Sequence, residues 1–345
     1  MEEEEHIETT RSRWFSGWFR WCPTSDELLR SAESRILKKL NVPYRGRFVT
    51  DSNQNKIRTV TFNPDGQKTP ILMVHGFGAG LGLWTLNIKE LSKDRAVYTF
   101  DTLGFGRSDR PKIDSDPSVV EETFVDSIEA TRKELGLNKF VLLGHSFGGY
   151  LACAYSIKYP DHVMSLILAD PWGFPEKPQD WNKSRTLPLW IRMAVTIMQT
   201  FNPFSCLRLA GPLGPRLVHR FRPDLEEKFS EQFDDDTILN YVYHCNAQHP
   251  SGEMALKKLA LPYGWAKFPM VNRMGDLHKR MRITMLFGEQ SWILDRIFED
   301  MGIQNLEQYT IHVLRDAGHH VYADAASEFN LKVLDVAETC DKETF

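Results

Sequence analysis

The pentapeptide GHSFG, residues 144–148, constrains the fold of this chain more than any other stretch of its sequence. It follows an apolar run at Phe140–Leu143 and precedes a segment of helical periodicity at 148–158. A G-x-S-x-G pattern between a strand and a helix is typical of a sharp turn that exposes the serine hydroxyl at the edge of a sheet. Glycine suits both flanking positions because a β-carbon would collide across so tight a turn. We therefore interpret Ser146 as a candidate nucleophile, the alternative being a glycine-rich turn without chemistry.

Short apolar runs alternate with segments of helical periodicity on both sides of this pentapeptide. The predicted strands lie at 48–49, 57–62, 71–74, 96–100, 140–143, 166–168, 283–287 and 309–314, and the predicted helices at 84–93, 118–136, 148–158 and 325–337. Such alternation predicts an α/β fold, with a mostly parallel, twisted sheet and helices on both of its faces.

The strand pattern stops at Asp170, and only helical periodicity continues as far as residue 280. The simplest interpretation is a helical lid, residues 171–280, inserted between two strands of one sheet. The rest of the chain then divides into a core, residues 31–170 and 281–345, and an N-terminal segment, residues 1–30.

The composition excludes several classes of protein. Lys and Arg number 42 against 46 Asp and Glu, and this balance argues against nucleic-acid binding. No apolar run of about 18 residues occurs, so we expect no membrane-spanning helix. The acidic start and the odd number of cysteines favour a cytoplasmic protein without a disulfide framework. The stretch LGFGRSD (103–109) lacks the third glycine of a dinucleotide site, and the cysteines lack metal-like spacing, so we expect no organic cofactor and no metal.

Two further stretches supply groups that a serine nucleophile needs. In MVHGFGAG (73–80) the N–H of Phe77 is our candidate for one oxyanion donor, and the N–H of Phe147 is the candidate for the other. DAGHHVYAD (316–324) follows the last predicted strand and offers two adjacent histidines. A histidine suits the role of general base because imidazole titrates near neutral pH. We choose His319 over His320 because His319 directly follows Ala-Gly, whereas His320 is shielded by its position. The alternative for residues 73–80 is a plain glycine-rich turn, and the alternative for His319 and His320 is a pair of surface histidines.

The acid that would orient His319 has two candidates. Asp295 follows the penultimate predicted strand, and Asp170 ends the strand after the pentapeptide. We prefer Asp295 because the usual chain order of such triads is serine, acid, histidine. Either carboxylate could instead cap a helix or lie at the surface.

Nine stretches distributed over nearly the whole chain carry a resemblance to one family. They are WCPTS (21–25), HGFGAGLGLW (75–84), FDTLGFGRSDRP (100–111), DPWGFP (170–175), FNPF (201–204), RFRPD (220–224), YHCNAQHPSGE (243–253), YGWAKFPM (263–270) and HHVYAD (319–324). On these stretches the chain resembles the α/β-hydrolase superfamily, and within it the group of α/β-hydrolase-domain proteins four and five. That group comprises a lysophospholipase acting on N-acyl-phosphatidylethanolamines and a lipid-droplet co-activator of a triglyceride lipase. The resemblance implies the α/β-hydrolase fold with a helical lid.

The residue at the nucleophile position separates the two branches of this group. The co-activator has Asn there, whereas this chain has Ser146, so the resemblance implies the hydrolytic branch. After the penultimate strand the group shows Trp-Ile-Asp, whereas this chain has Trp-Ile-Leu-Asp at 292–295. The displacement by one residue keeps Asp170 open as the acid.

The stretch HHVYAD also matches H-x-x-x-x-D, from His319 to Asp324. This pattern resembles the motif of glycerolipid acyltransferases and implies acyl transfer to lysophosphatidic acid as an alternative activity. The structural alternative is that Asp324 caps the final helix.

Large aromatic residues cluster near the start of the chain: Trp14, Phe15, Trp18, Phe19 and Trp21. On a helix the three tryptophans fall in one stripe, while Arg13 and Arg20 share a different face. That arrangement is typical of a segment lying in a lipid interface, and the tryptophan-rich start of the resembling co-activator implies the same role. The alternative is packing against the folded body.

The predicted lid carries a second basic feature. Arg208, Arg216, Arg220 and Arg222 lie close together in the sequence and predict a basic face that could meet a lipid phosphate. The alternative is a solvated charged face without a ligand.

These observations support three functional hypotheses. The first is a serine ester hydrolase of (lyso)phospholipids such as N-acyl-phosphatidylethanolamines, peripheral on lipid droplets or on mitochondrial or reticulum membranes. The second is a droplet co-activator that acts through a lipase or droplet-coat protein. The third is acyl-CoA-dependent acylation of lysophosphatidic acid.

Overall fold

A single β-sheet organises the protein. The computed structural model describes residues 2–3, 21–178, 202–294 and 308–343. Within these ranges nine strands pair in the order β1-β2-β3-β5-β4-β6-β7-β8-β9. Their bounds are β1 (Glu2–Glu3), β2 (Tyr44–Thr50), β3 (Lys56–Phe62), β4 (Lys68–Val74), β5 (Arg95–Phe100), β6 (Phe140–His145), β7 (Val163–Ala169), β8 (Arg282–Gly288) and β9 (Tyr309–Leu314). Strand β3 is antiparallel to both of its neighbours, and the other pairs are parallel, which confirms the predicted mostly parallel sheet.

Helices cover both faces of this sheet, as predicted. In the described ranges they are α1 (Asp26–Lys39), α2 (Thr85–Leu91), α3 (Pro117–Glu134), α4 (Phe147–Lys158), α5 (Ser205–Leu209), α6 (Gly214–Phe221), α7 (Pro223–Lys228), α8 (Thr237–Asn246), α9 (Ser251–Leu259), α10 (Val321–Asp324) and α11 (Ala326–Asp341). Alternate side chains of β4 enter opposite cores: Ile71 and Met73 join the core with α1, α2 and α11, whereas Leu72 and Val74 join the core with α3 and α4. This alternation explains why the central strands carry runs of consecutive apolar residues such as Ile71–Val74. None of the helices in the described ranges is long and apolar enough to cross a bilayer.

The chain between β7 and β8 is a helical insertion. Its described parts, 171–178 and 202–280, contain α5 to α9 and contribute no strand to the sheet. The predicted helical character of 171–280 is therefore present in these parts, and the role of a lid stays a prediction.

The predicted boundary after residue 30 is wrong, because it falls inside α1. Ser25 begins this helix by accepting a hydrogen bond from the N–H of Leu28 at 3.2 Å. Leu29 and Ile36 on one face of the helix are buried in the core. The core unit therefore begins before residue 31, and α1 belongs to it.

A buried ion cluster ties α1 to the sheet. The Oε1 atom of Glu33 lies 2.7 Å from Nη2 of Arg58 and 2.9 Å from Nη1 of Arg107. All three side chains are almost fully removed from solvent. Burying these charges costs desolvation free energy, which the shared hydrogen bonds offset only while all partners are present.

We expect Glu33→Ala to lower the free energy of unfolding by about 3 kcal/mol, because it leaves two buried guanidinium groups without the carboxylate they share. Urea denaturation followed by far-UV circular dichroism measures the change. Glu27→Ala, at an exposed site on the same helix, is the matched control and should change stability by only about 0.5 kcal/mol. Equal effects of the two substitutions would contradict the role of the cluster.

Candidate active site

Ser146 occupies a strained turn between β6 and α4. Its backbone angles are φ 52° and ψ −118°, a conformation that non-glycine residues seldom adopt. A β-carbon on Gly144 would collide with the carbonyl of Gly148, and one on Gly148 would collide with the carbonyl of Val74 in β4. The strand–turn–helix geometry expected around Ser146 is thus present, and it depends on both glycines.

A chain of hydrogen bonds links Ser146, His319 and Asp170. Nε2 of His319 lies 3.0 Å from Oγ of Ser146, and Nδ1 lies 2.5 Å from Oδ2 of Asp170. The same Oδ2 accepts a hydrogen bond from the hydroxyl of Ser291 at 2.5 Å. Such an arrangement can take the proton from the serine hydroxyl, while the carboxylate stabilises the resulting imidazolium.

The preference for Asp295 as the acid is not supported, because the partner of His319 is Asp170. Asp295 lies outside the described residues. Asp170 directly follows β7, is fully buried and has a φ of 44°. Nδ1 of one imidazole makes a single hydrogen bond, and Asp170 already occupies it. The expected chain order could not distinguish the two candidates, since both lie between Ser146 and His319.

His145, which was not among the predicted site residues, is hydrogen-bonded to the backbone of His319. Its Nε2 lies 2.8 Å from the backbone carbonyl of His319, and the two rings are 4.9 Å apart. Burial, together with the neighbouring His319, lowers the pKa of His145 well below its usual value. His145 is therefore neutral, and its Nε2–H donates to that carbonyl. The one feature of the sequence that could have identified His145 as a site residue is its position inside G-x-S-x-G, next to the nucleophile.

The loop after β4 carries the first predicted oxyanion donor, Phe77. A β-carbon on Gly76 would lie 3.1 Å from Cβ of Ser146, so this loop runs directly beside the nucleophile. The Gly76 carbonyl accepts from Nδ1 of His75 at 2.8 Å and from the N–H of Ala79 at 3.3 Å. Because C=O and N–H point in opposite directions across a trans peptide, fixing the Gly76 carbonyl also fixes the Phe77 N–H.

His75 makes this arrangement independent of pH over the neutral range. Burial lowers the pKa of His75 to about 4, so the ring stays neutral. Its Nε2 accepts from the backbone N–H of Thr102 at 3.0 Å, which leaves the proton on Nδ1 for Gly76. The second predicted donor, Phe147, is the first residue of α4, and its N–H has no acceptor within that helix.

The helical insertion contacts this oxyanion loop. The ring of Phe204 stacks on that of Phe77, with centroids 5.2 Å apart. Nδ2 of Asn246 donates to the carbonyl of Gly78 at 2.7 Å. The insertion thus packs on the loop that carries one of the two predicted oxyanion donors.

Asp324 of the H-x-x-x-x-D pattern binds Gly318 and Lys228. Its Oδ2 accepts from the N–H of Gly318 at 2.8 Å, and its Oδ1 lies 2.6 Å from Nζ of Lys228. Asp324 therefore steadies the turn before His319 rather than contacting the imidazole. Its expected role as the cap of the final helix is wrong, because Ala325 occupies that position in α11.

The remaining predicted residues divide by location. Outside the described residues lie Trp14, Phe15, Trp18 and Phe19, whereas Trp21 is described and is exposed. Of the four lid arginines, Arg208 pairs with Glu253 and Arg222 with Asp224. The predicted basic face is therefore limited to Arg216 and Arg220, which are both exposed.

The sequence profile described as "alpha/beta hydrolase fold" matches residues 69–326. The chain belongs to this α/β-hydrolase family. It is 48% identical to the human protein named 1-acylglycerol-3-phosphate O-acyltransferase ABHD5, over 98% of this chain and 99% of that relative. It is 47% identical to the human (lyso)-N-acylphosphatidylethanolamine lipase, over 92% of this chain and 94% of that relative. These similarities confirm the resemblance inferred from the sequence.

Solved structures of α/β-hydrolases share the fold at low sequence identity. The naproxen esterase of Bacillus subtilis superposes with a TM-score of 0.60 at 16% identity, over 90% of this chain and 96% of that one. A bacterial membrane phospholipase A superposes with a TM-score of 0.62 at 17% identity, over 91% of each chain. At this identity the likeness establishes the fold alone.

We expect His145→Leu to slow the reaction of Ser146 with a fluorophosphonate by about tenfold, because the His319 loop loses its anchor and the imidazole shifts. His145→Gln keeps an N–H donor near the same place and should react faster than the Leu variant. The measurement is the rate of covalent labelling, with the thermal midpoint as a check on folding. Wild-type rates in both variants would contradict a positioning role for His145.

Proposed function

We propose that this protein is a serine hydrolase that removes acyl chains from phospholipids or lysophospholipids, with N-acyl-phosphatidylethanolamines as the favoured class. The observation that carries the proposal is the hydrogen-bonded chain from Ser146 through His319 to Asp170 at a strained turn. The substrate class rests on the similarity to the (lyso)-N-acylphosphatidylethanolamine lipase.

The chemistry proceeds in two steps. The Ser146 hydroxyl attacks the ester carbonyl as His319 takes its proton, and the N–H groups of Phe77 and Phe147 stabilise the oxyanion. His319 then returns the proton to the departing glycerol oxygen and leaves an acyl-serine. His319 next takes a proton from a water molecule, which attacks the acyl-serine ester. When the bond between the acyl carbon and Oγ breaks, His319 returns that proton to Oγ, so the fatty acid leaves and the Ser146 hydroxyl is restored. The carboxylate of Asp170 stabilises the imidazolium in both steps.

Acyl transfer is a second candidate, favoured by the relatives named as 1-acylglycerol-3-phosphate O-acyltransferase. A hydroxyl of lysophosphatidic acid could replace water as the second nucleophile, with acyl-CoA as the acyl donor. The position of Asp324 on the Gly318 turn argues that such a transfer would use the acyl-serine rather than a separate His-Asp pair.

The place of action is also part of the proposal. The aromatic segment that includes Trp14, Trp18 and Trp21 favours peripheral attachment to a lipid droplet or to the cytoplasmic side of an intracellular membrane. A lipase or a droplet-coat protein is the proposed protein partner at that surface.

Ser146→Ala should abolish labelling by a fluorophosphonate and reduce fatty-acid release from N-acyl-phosphatidylethanolamine to background, because the acyl-enzyme can no longer form. Mass spectrometry of the released acid is the measurement. Parallel reactions with acyl-CoA and lysophosphatidic acid test transfer. A Ser146→Ala protein that still labels and still hydrolyses would refute the assignment.

Asp170→Asn should lower kcat by about 10⁴-fold, since the amide no longer holds His319 in the reactive tautomer. Asp295→Asn is the matched control and should retain wild-type kcat. Steady-state kinetics on both purified variants measure the difference, with thermal unfolding as the check that the buried amide is tolerated. A large loss in the Asp295 variant with an active Asp170 variant would reverse the assignment of the acid.

A further inference from the structure

Four large apolar side chains, three in the insertion and one in the segment before α1, are exposed. Trp21 is 66% exposed, Leu209 69%, Leu213 54% and Phe221 67%. Single exposed apolar residues are common on protein surfaces, whereas contiguous groups mark interaction sites. The question is therefore whether these four side chains form one surface.

Trp21 contacts the stretch of backbone that carries Leu209 and leads to Leu213. Its indole Nε1 donates to the carbonyl of Leu209 at 3.1 Å. Its ring covers Gly211, where a β-carbon would lie 2.5 Å from the indole. Trp21 therefore lies on the backbone turn that connects Leu209 to Leu213.

Helix α6 extends this surface and adds positive charge. At about 100° per residue, Arg216, Leu217, Arg220 and Phe221 fall within an arc of about 140°. Both arginines are exposed, and in the described part of the chain neither has an acidic partner. Basic groups beside exposed apolar groups on one helix face are the pattern of a surface that lies in a lipid interface.

The segment between Phe204 and Arg222 is attached to the active site at both ends. Phe204 stacks on Phe77 of the oxyanion loop, with centroids 5.2 Å apart. Nη2 of Arg222 lies 3.5 Å from Nε2 of His320, the neighbour of His319. A surface bound along this segment would therefore lie next to the catalytic groups.

We propose that Trp21, Leu209, Leu213 and Phe221, together with Arg216 and Arg220, form a docking face for a lipid surface that carries anionic headgroups. The proposal rests on the proposed function, because it places the active site against a layer that contains its substrate. Lipid rather than protein is favoured because the face combines exposed apolar side chains with exposed guanidinium groups. Trp21 is also the last residue of the aromatic segment that begins at Trp14, so the face continues that segment along the chain. The insertion thereby contributes a contact of its own, in addition to the aromatic segment.

Co-sedimentation of the full chain with vesicles of phosphatidylcholine, with or without phosphatidic acid, tests the proposal. Leu213→Glu/Phe221→Glu should weaken binding to both vesicles at least tenfold, and Arg216→Glu/Arg220→Glu should remove the preference for the anionic ones. Leu331→Glu, 61% exposed on α11, is the control for the apolar change. Lys38→Glu/Lys39→Glu on α1 changes the net charge by the same amount as Arg216→Glu/Arg220→Glu and is the control for that variant. Both controls should bind like wild type.

The comparison is repeated with Trp14→Ala/Trp18→Ala added to the wild type and to each docking-face variant, so that these two tryptophans no longer contribute to binding in any of them. Thermal unfolding confirms that each exposed substitution leaves the fold intact. Unchanged binding by both docking-face variants would overturn the proposal. A wild-type dimer that Leu213→Glu/Phe221→Glu converts to a monomer, with vesicle binding unchanged, would assign the face to a second copy instead. Binding measured on Ser146→Ala separates this proposal from the proposed function, since docking does not need the nucleophile.

Discussion

The strained backbone of Ser146 is the constraint on which the site depends. A positive φ at a non-glycine residue costs about 1–3 kcal/mol and persists only where its surroundings hold it. The Ser146 N–H donates to the carbonyl of Ala169 at 3.0 Å, and its carbonyl accepts from the N–H of Trp172 at 3.1 Å. The last residue of β7 and the turn that follows it therefore hold the nucleophile on both sides. Asp170 lies between these two anchors, so the hydrogen bonds that maintain the strain also place the acid.

Neutral histidines form much of the scaffold around the reactive one. Burial lowers the pKa of His75 to about 4 and holds the pKa values of His145 and His320 well below their usual value. As uncharged rings they donate to backbone carbonyls, His75 to Gly76 and His145 to His319, without adding positive charge beside the imidazolium that forms in the reaction. Among these histidines the charge change is thereby confined to His319, which lies beside the buried carboxylate of Asp170.

The sequence predicted those parts of the structure that local physics determines. The apolar runs became strands and the pentapeptide became the turn at Ser146, because glycine and a buried strand leave few alternatives. The preference between the two candidate acids could not come from the sequence, because both carboxylates satisfied the same chain order and only packing brings Asp170 to Nδ1 of His319. The boundary at residue 30 failed for a related reason: α1 belongs to the core through Glu33, whose partners Arg58 and Arg107 are distant in sequence. Likewise, the hydrogen bond from His145 to His319 joins residues 174 positions apart, and no local pattern predicts it.

The two activities suggested by the relatives need not require different catalytic residues. Once Ser146 carries an acyl group, the outcome depends on whether water or a lipid hydroxyl reaches the ester first. Phe204 packs on the oxyanion loop and Arg222 on His320, so the insertion lies where it can control access of either nucleophile. A lipid layer against the docking face would raise the local concentration of lipid hydroxyls relative to water. The ratio of hydrolysis to acyl transfer would then depend on the lipid surface to which the protein is bound. The same hydrogen-bonded residues, from Ser146 through His319 to Asp170, would catalyse both reactions.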